Sequence, residues 1–148
     1  MRLLTYDNKT ILYNDVLIPY SSFLYNLPNY NEIVPLKDKS CSLDIMDYII
    51  YFLNNHHIFI EKKTDRDYIT RWNYRFFHLS DKILFEIITA TNYLDIECLF
   101  ELACNEVANI VKRCYTPQNV RKRFNIKDDI TPEEEQEIYK NLSSFKVI

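Results

Sequence analysis

Apolar and polar positions change their period along this chain, with short apolar runs in the first third giving way to long stripes at the helical spacing. Residues 2–6 and 10–14 are strand candidates separated by the turn formers Asp7, Asn8 and Lys9, which predicts a hairpin. Ser21 or Ser22 is placed to cap a short helix running through Leu27 and stopped by Pro28. Residues 33–36 form a brief apolar run suited to a third strand, and Pro35 points to a sheet edge, because proline has no N–H for an inner ladder. After Ser42, the positions Leu43, Met46, Ile49, Ile50 and Leu53 define one apolar helix face, expected to end near Asn55.

From residue 57 to 71 this periodicity fails. Lys62, Lys63, Asp65, Arg66 and Asp67 make the stretch polar, which predicts a loop or insertion, with Ile58, Phe59 and Ile60 offering a candidate strand inside it. Residues 72–77 predict a short helix, and Ser80 or Asp81 then caps a central helical pair. In residues 83–88 nearly every position is apolar, giving a surface wider than one core-facing stripe and therefore calling for two partners. The pattern resets at Asp95, read as the cap of a second helix, with residues 92–94 as the corner. Ile96, Leu99, Phe100, Ala103, Val107, Ile110 and Val111 continue as one stripe.

Thr116-Pro117 and Thr131-Pro132 each pair a capping side chain with the residue best tolerated at the first helical position, so two more helices are expected. Thr131 and Glu134 have the spacing of a capping box, and Glu133, Glu134 and Glu135 suit the positive end of a helix dipole, a structural reading of the acidic run. The order strand, strand, helix, strand, helix, helical pair excludes an all-α bundle and lacks the alternation of a doubly wound sheet. The expected class is α+β, a small sheet packed with helices and followed by a C-terminal helical extension.

Composition narrows the function. The 148 residues suit one domain with an appendage, and a formal charge of −3 without a long basic stripe disfavours nucleic acid. No run of about 18 apolar residues occurs, so no membrane partner is expected. Polar residues follow Met1-Arg2 too soon for a secretory signal, which leads us to expect an intracellular, soluble protein. The four cysteines, Cys41, Cys98, Cys104 and Cys114, form no CxxC pair and are expected to be reduced, with Cys98 and Cys104 in the core. Glycine is absent, so Asn is expected at many positions of positive φ. The same absence rules out the P-loop, the dinucleotide fingerprint and the G-x-S-x-G elbow. His56 and His57 are adjacent and project apart, a poor start for a metal site. No catalytic residue, metal or cofactor is expected; a cysteine hydrolase using an unrecognised Cys and His pair is the enzymatic alternative.

Residues 83–88, ILFEII, then ATNYLDI, CNEVANIVK and, downstream, TPQNVRKRFNIKDDIT closely resemble the Skp adaptor subunit of Skp/cullin/F-box ubiquitin ligases, several motifs in one register over about the C-terminal half. The resemblance implies a BTB/POZ-like fold over residues 1–115 and a Skp-type extension over 116–148. It implies a non-catalytic adaptor joining F-box proteins to a cullin scaffold in the cytoplasm and nucleus, promoting protein ubiquitination. By transfer from matching positions, Leu84, Phe85, Ile88, Phe100, Val107 and Val111 would receive the F-box helices, with Val120, Phe124 and Ile126 lining the same groove. Phe145 would close over it, although SSFKVI departs from the family pattern. Asn92 and Tyr93 would face the cullin. A further departure is the 57–71 stretch, acidic and mobile in the Skp adaptors but carrying Ile58, Phe59 and Ile60 here. Two more binding alternatives are a decoy that holds F-box proteins without a cullin and an elongin-C-like module, which would lack the two Thr-Pro helices. Weak self-association through an uncovered groove is also expected of the free protein.

Overall fold

A computed structural model of the chain describes residues 1–144 and resolves two compact units, Met1–Ile110 and Val111–Ile148. Phe145 lies outside the described residues.

The first unit opens with the expected hairpin, β1 (Arg2–Leu4) pairing antiparallel with β2 (Thr10–Leu12). Asn8, at φ 61°, makes the turn, a conformation Asn tolerates better than most residues. β3 (Ile33–Pro35) joins β1 in parallel, so the sheet order is β2-β1-β3 and Pro35 sits on an edge strand. Between the second and third strands lie a 3-10 helix (Asp15–Tyr20) and α1 (Ser22–Tyr25), which Ser21 caps by accepting from the Leu24 N–H at 3.1 Å. Ser21 also donates through Oγ to the Leu94 carbonyl, tying α1 to the central helices.

α2 (Leu43–Glu61) buries Ile45, Met46, Ile49, Phe52 and Leu53 and does not end near Asn55. The expected loop with its candidate strand is replaced by two more turns of α2 and by α3 (Arg66–Phe76), with only residues 62–65 between them. The reason is tertiary. Phe59 lies edge-on to Trp72 at 5.4 Å and to Tyr68 at 5.8 Å, while His56 stacks on Phe52 at 4.0 Å and hydrogen-bonds Asn73 at 2.7 Å. A strand of residues 58–60 would forfeit those ring contacts, each worth ~1 kcal/mol beyond area burial. Asp65, passed over in the sequence, caps α3 by accepting from the N–H groups of Asp67 and Tyr68.

α4 (Asp81–Leu94) and α5 (Glu97–Cys114) are the central pair; α4 packs on α2 and α1, and the division between the units falls inside α5. In the second unit follow α6 (Pro117–Phe124) and α7 (Pro132–Ser144). Thr116 accepts from the Asn119 N–H, and the box at Thr131 is complete: Glu134 Oε2 accepts from the Thr131 N–H at 2.9 Å while Thr131 Oγ1 accepts from the Glu134 N–H at 3.3 Å. The expected α+β class, with a small sheet, helices and a helical extension, is the one observed. Among the described residues Asn holds two of the five positive-φ positions, Asn8 and Asn125; Lys63, Asp95 and Tyr115 hold the others.

Candidate partner-binding surfaces

α4 is one helix with two faces. Leu84, Ile87, Ala90, Thr91 and Leu94 recur at three- and four-residue steps and are buried, whereas the intervening Phe85 is 42% exposed and Ile88 is half-buried. Leu84, grouped with the F-box contacts by resemblance, thus lies in the interior of the first unit, next in sequence to a phenylalanine that does not. On α5 the inward face is Leu99, Ala103 and Ile110, with Phe100 and Val107 half-buried at its margin. Apolar side chains at such a margin are available to a partner because this unit's own elements cover them only in part.

The turn between these helices differs from expectation. Asp95 is not the cap of α5: at φ 52° it is the left-handed residue that ends α4, its N–H donating to the Asn92 and Thr91 carbonyls. Asn92 and Tyr93 consequently stand in the last turn of α4, the first exposed and the second half-buried. The Tyr93 ring packs 5.2 Å from Phe23, and its hydroxyl accepts from the Lys37 N–H at 3.3 Å. Tyr93 therefore holds α1 and the segment after β3 against α4 whatever else it touches. Nothing in the sequence pattern marked Phe23 or Lys37 as its partners.

The second unit contains no buried residue among those described from 111 to 143. Val120 and Phe124, one helical turn apart on α6, are half-buried, and Val111 and Ile126 are 40% and 53% exposed. Asn125 closes α6 in the left-handed region, and Arg121 pairs with Asp128 at 3.7 Å. α7 adds exposed apolar side chains that the resemblance did not single out: Ile138, Tyr139 and Leu142. Ile138 and Leu142 are four apart, a spacing readable in the sequence as one helix face.

Reactive chemistry is poorly served. All four cysteines are free; Cys41 is buried, whereas Cys98 is exposed and Cys104 only half-buried, so the expected core packing of that pair is not what the structure has. Burial pushes the Cys41 thiol up to about 12, with Asp38 adding to the effect, and burial of the Cys98 sulfur raises its pKa too. Both shifts disfavour the thiolate that a nucleophile needs. His56 engages Asn73, and His57 engages Tyr20 at 3.2 Å and Glu61 at 3.3 Å. Among the described residues no three His, Cys, Asp or Glu side chains converge as a metal site would require, and no helix is long and apolar enough to cross a membrane.

The comparisons with known proteins agree in direction. Residues 97–143 match the Skp1 family, dimerisation domain. Over 95% of its length the chain is 32% identical to "Suppressor of kinetochore protein 1" of Schizosaccharomyces pombe, covering 93% of that protein. It is 47% identical over 76% of its length to "E3 ubiquitin ligase complex SCF subunit sconC" of Neosartorya fischeri, covering 68% of it. It is 39% identical over 74% of its length to "Skp1-related protein" of Caenorhabditis elegans, covering 64% of it.

Proposed function

The chain belongs to the Skp1 family, and from that premise we propose that it joins F-box substrate receptors to a cullin scaffold in an SCF-type ubiquitin ligase. Within such a complex it is a non-catalytic adaptor, and the cysteine-hydrolase alternative falls away: family membership opposes it, and burial holds the Cys41 thiol protonated. The work is geometric. An adaptor that holds a receptor and a ubiquitin-transfer module at a fixed separation raises the concentration of one around the other without making or breaking a bond.

The observation that carries this reading is the contrast between the packed inner faces of α4 and α5 and the exposed or half-buried apolar side chains of α4, α5 and α6. We assign Phe85, Ile88, Phe100 and Val107 of the first unit, and Val111, Val120, Phe124 and Ile126 of the second, to F-box contact, with residues 1–115 as BTB/POZ-like domain and 116–148 as receptor-binding extension. Leu84, 2% exposed, lies in the interior of the first unit. Phe145 keeps its expected closing role as part of the same assignment. Asn92, with the exposed rim of Tyr93, is assigned to the cullin, and the whole acts inside the cell, in cytoplasm and nucleus.

The test separates the two surfaces. Asn92→Lys puts a cation at a helix C-terminus, where the dipole welcomes it, so folding should be unaffected. The substitution should abolish capture of a cullin N-terminal domain and leave F-box binding intact. Phe124→Ala should do the reverse, weakening F-box binding by ~1–3 kcal/mol, as expected for a truncated aromatic anchor. Tyr93 is a poor probe because its ring also holds Phe23. Retained cullin binding by Asn92→Lys would remove that residue from the interface, and a wild type that binds F-box proteins but no cullin would favour the decoy reading.

A further inference from the structure

A second surface lies wholly in the first unit and shares no residue with those assigned above. Tyr48 and Tyr51 on α2 line two adjoining clefts, of about 660 and 420 Å³. The smaller is aromatic: Tyr68, Trp72 and Phe76 of α3 complete it, with Arg75 at its edge. Trp72 and Phe76 stack at 5.5 Å with planes 12° apart, and Tyr51 joins them at 6.5 Å and 19° from Phe76 and at 5.8 Å and 31° from Trp72, so two parallel rings and a third, tilted one form the wall. Tyr51 is 57% and Tyr68 44% exposed. The larger cleft is acidic, with Asp44, Asp47 and Glu86 facing a single Lys82.

Flat aromatic walls recognise the pyrrolidine faces of an extended proline-rich strand, which arrives already ordered and loses little entropy on binding. A methylated or quaternary cation also favours aromatic walls, but Arg75 lines the aromatic cleft and would repel it there. A cation belongs instead over Asp44 and Asp47. Those carboxylates and Tyr51 share one face of α2 and, at ~1.5 Å rise per residue, Asp44 and Tyr51 stand ~10 Å apart along the helix. A polyproline strand rises ~3.1 Å per residue, so about three residues would separate a basic side chain on the carboxylates from a proline on the rings. We propose that this groove docks a proline-rich segment of a partner protein, with a Lys or Arg placed about one polyproline turn before its first ring-contacting proline.

Trp72 is the one tryptophan of the chain and half-buried in this cleft, so its emission reports occupancy directly. The full chain is titrated with the acetylated peptide Arg-Ala-Leu-Pro-Pro-Leu-Pro, with the same peptide bearing Glu for Arg, with a version having Ala for every Pro, and with tetramethylammonium. A saturable Trp72 change is expected with the Arg peptide, about tenfold weaker with the Glu peptide, and none with the Ala peptide. Asp47→Lys, at an exposed position, should reverse the preference between Arg and Glu, and Tyr51→Ala should abolish binding while circular dichroism stays that of the parent. The proposal is overturned if the Arg peptide gives no saturable change at about 1 mM, the weak end of measurable affinity, or if Arg and Glu peptides bind alike. It is also overturned if tetramethylammonium saturates the same signal, which would make the cleft a cation cage, or if Trp72 emission changes with protein concentration alone, which would make it a contact between copies of the chain.

Discussion

In the first unit Tyr13, Leu17, Phe52 and Leu53 are completely buried, while in the second not one described residue from 111 to 143 is. Both units are helical and both carry large apolar side chains, so composition does not explain the difference. In the first, a three-stranded sheet, a 3-10 helix, α1 to α4 and most of α5 supply enough neighbours to enclose a core. In the second, α6 and α7 are held by local chemistry: a Thr116 cap, a reciprocal box at Thr131, and Asn125 in the left-handed region. Caps start and stop helices, each contributing ~1 kcal/mol, but they bury nothing. A unit whose helices are specified locally and whose apolar side chains stay at the surface is suited to closing on another protein.

The contrast is broken most severely from the core side. Phe52 is fully buried and touches the rings of His56, Trp72, Phe76 and Phe77, so Phe52→Ala should cost ~3–5 kcal/mol in denaturant unfolding. A loss under 1 kcal/mol, within the range of surface substitutions (about 0.5 kcal/mol either way) or little above it, would mean that the ring cluster is not what holds α2 to α3.

On the other unit, Thr131→Ala removes one half of the capping box. It should cost about 1 kcal/mol of α7 stability, read as lost helicity in circular dichroism, with the main unfolding midpoint unchanged. A shift of that midpoint would show the two units unfolding as one.

A smaller effect separates the units by pH. Burial against Phe52 and Phe59 lowers the pKa of His56 below its ordinary 6.5, the hydrogen bond with Asn73 opposing it. A base whose folded pKa is depressed binds fewer protons folded than unfolded, so its stabilisation is present above 6.5 and is lost as pH falls through that value towards the folded pKa. The first unit's thermal midpoint should therefore drop on acidification from about pH 7 to 5, and His56→Gln should flatten that dependence. A variant with the parent's full slope would show that His56 is not the source of that dependence.

Much of the fold was legible wherever a polar residue makes its case within one turn. Ser21, Ser80, Thr116 and the Thr131 and Glu134 pair could be read as caps because the partner N–H lies two or three residues away. The hairpin and the edge strand with Pro35 followed from turn chemistry and the missing proline donor. Asp95 misled for an instructive reason: Asp favours both helix starts and the left-handed conformation, and here the end of α4 took it. The continuation of α2 through residues 58–60 was hidden because it depends on Trp72 and Tyr68, residues that no local window contains. At the partner surfaces, the period identified apolar stripes but could not say that Leu84 points inward and Phe85 outward, since that depends on where α2 and α1 lie.

Amide hydrogen exchange on the full chain, alone and with an F-box helix peptide, tests the central claim most directly. The account predicts slow exchange through α2, α4 and the first turns of α5 in both states, with amides of α6 and α7 exchanging fast in the free chain and slowing when the peptide is bound. Protection of α6 and α7 in the free chain equal to that of α2, unchanged by the peptide, would contradict it.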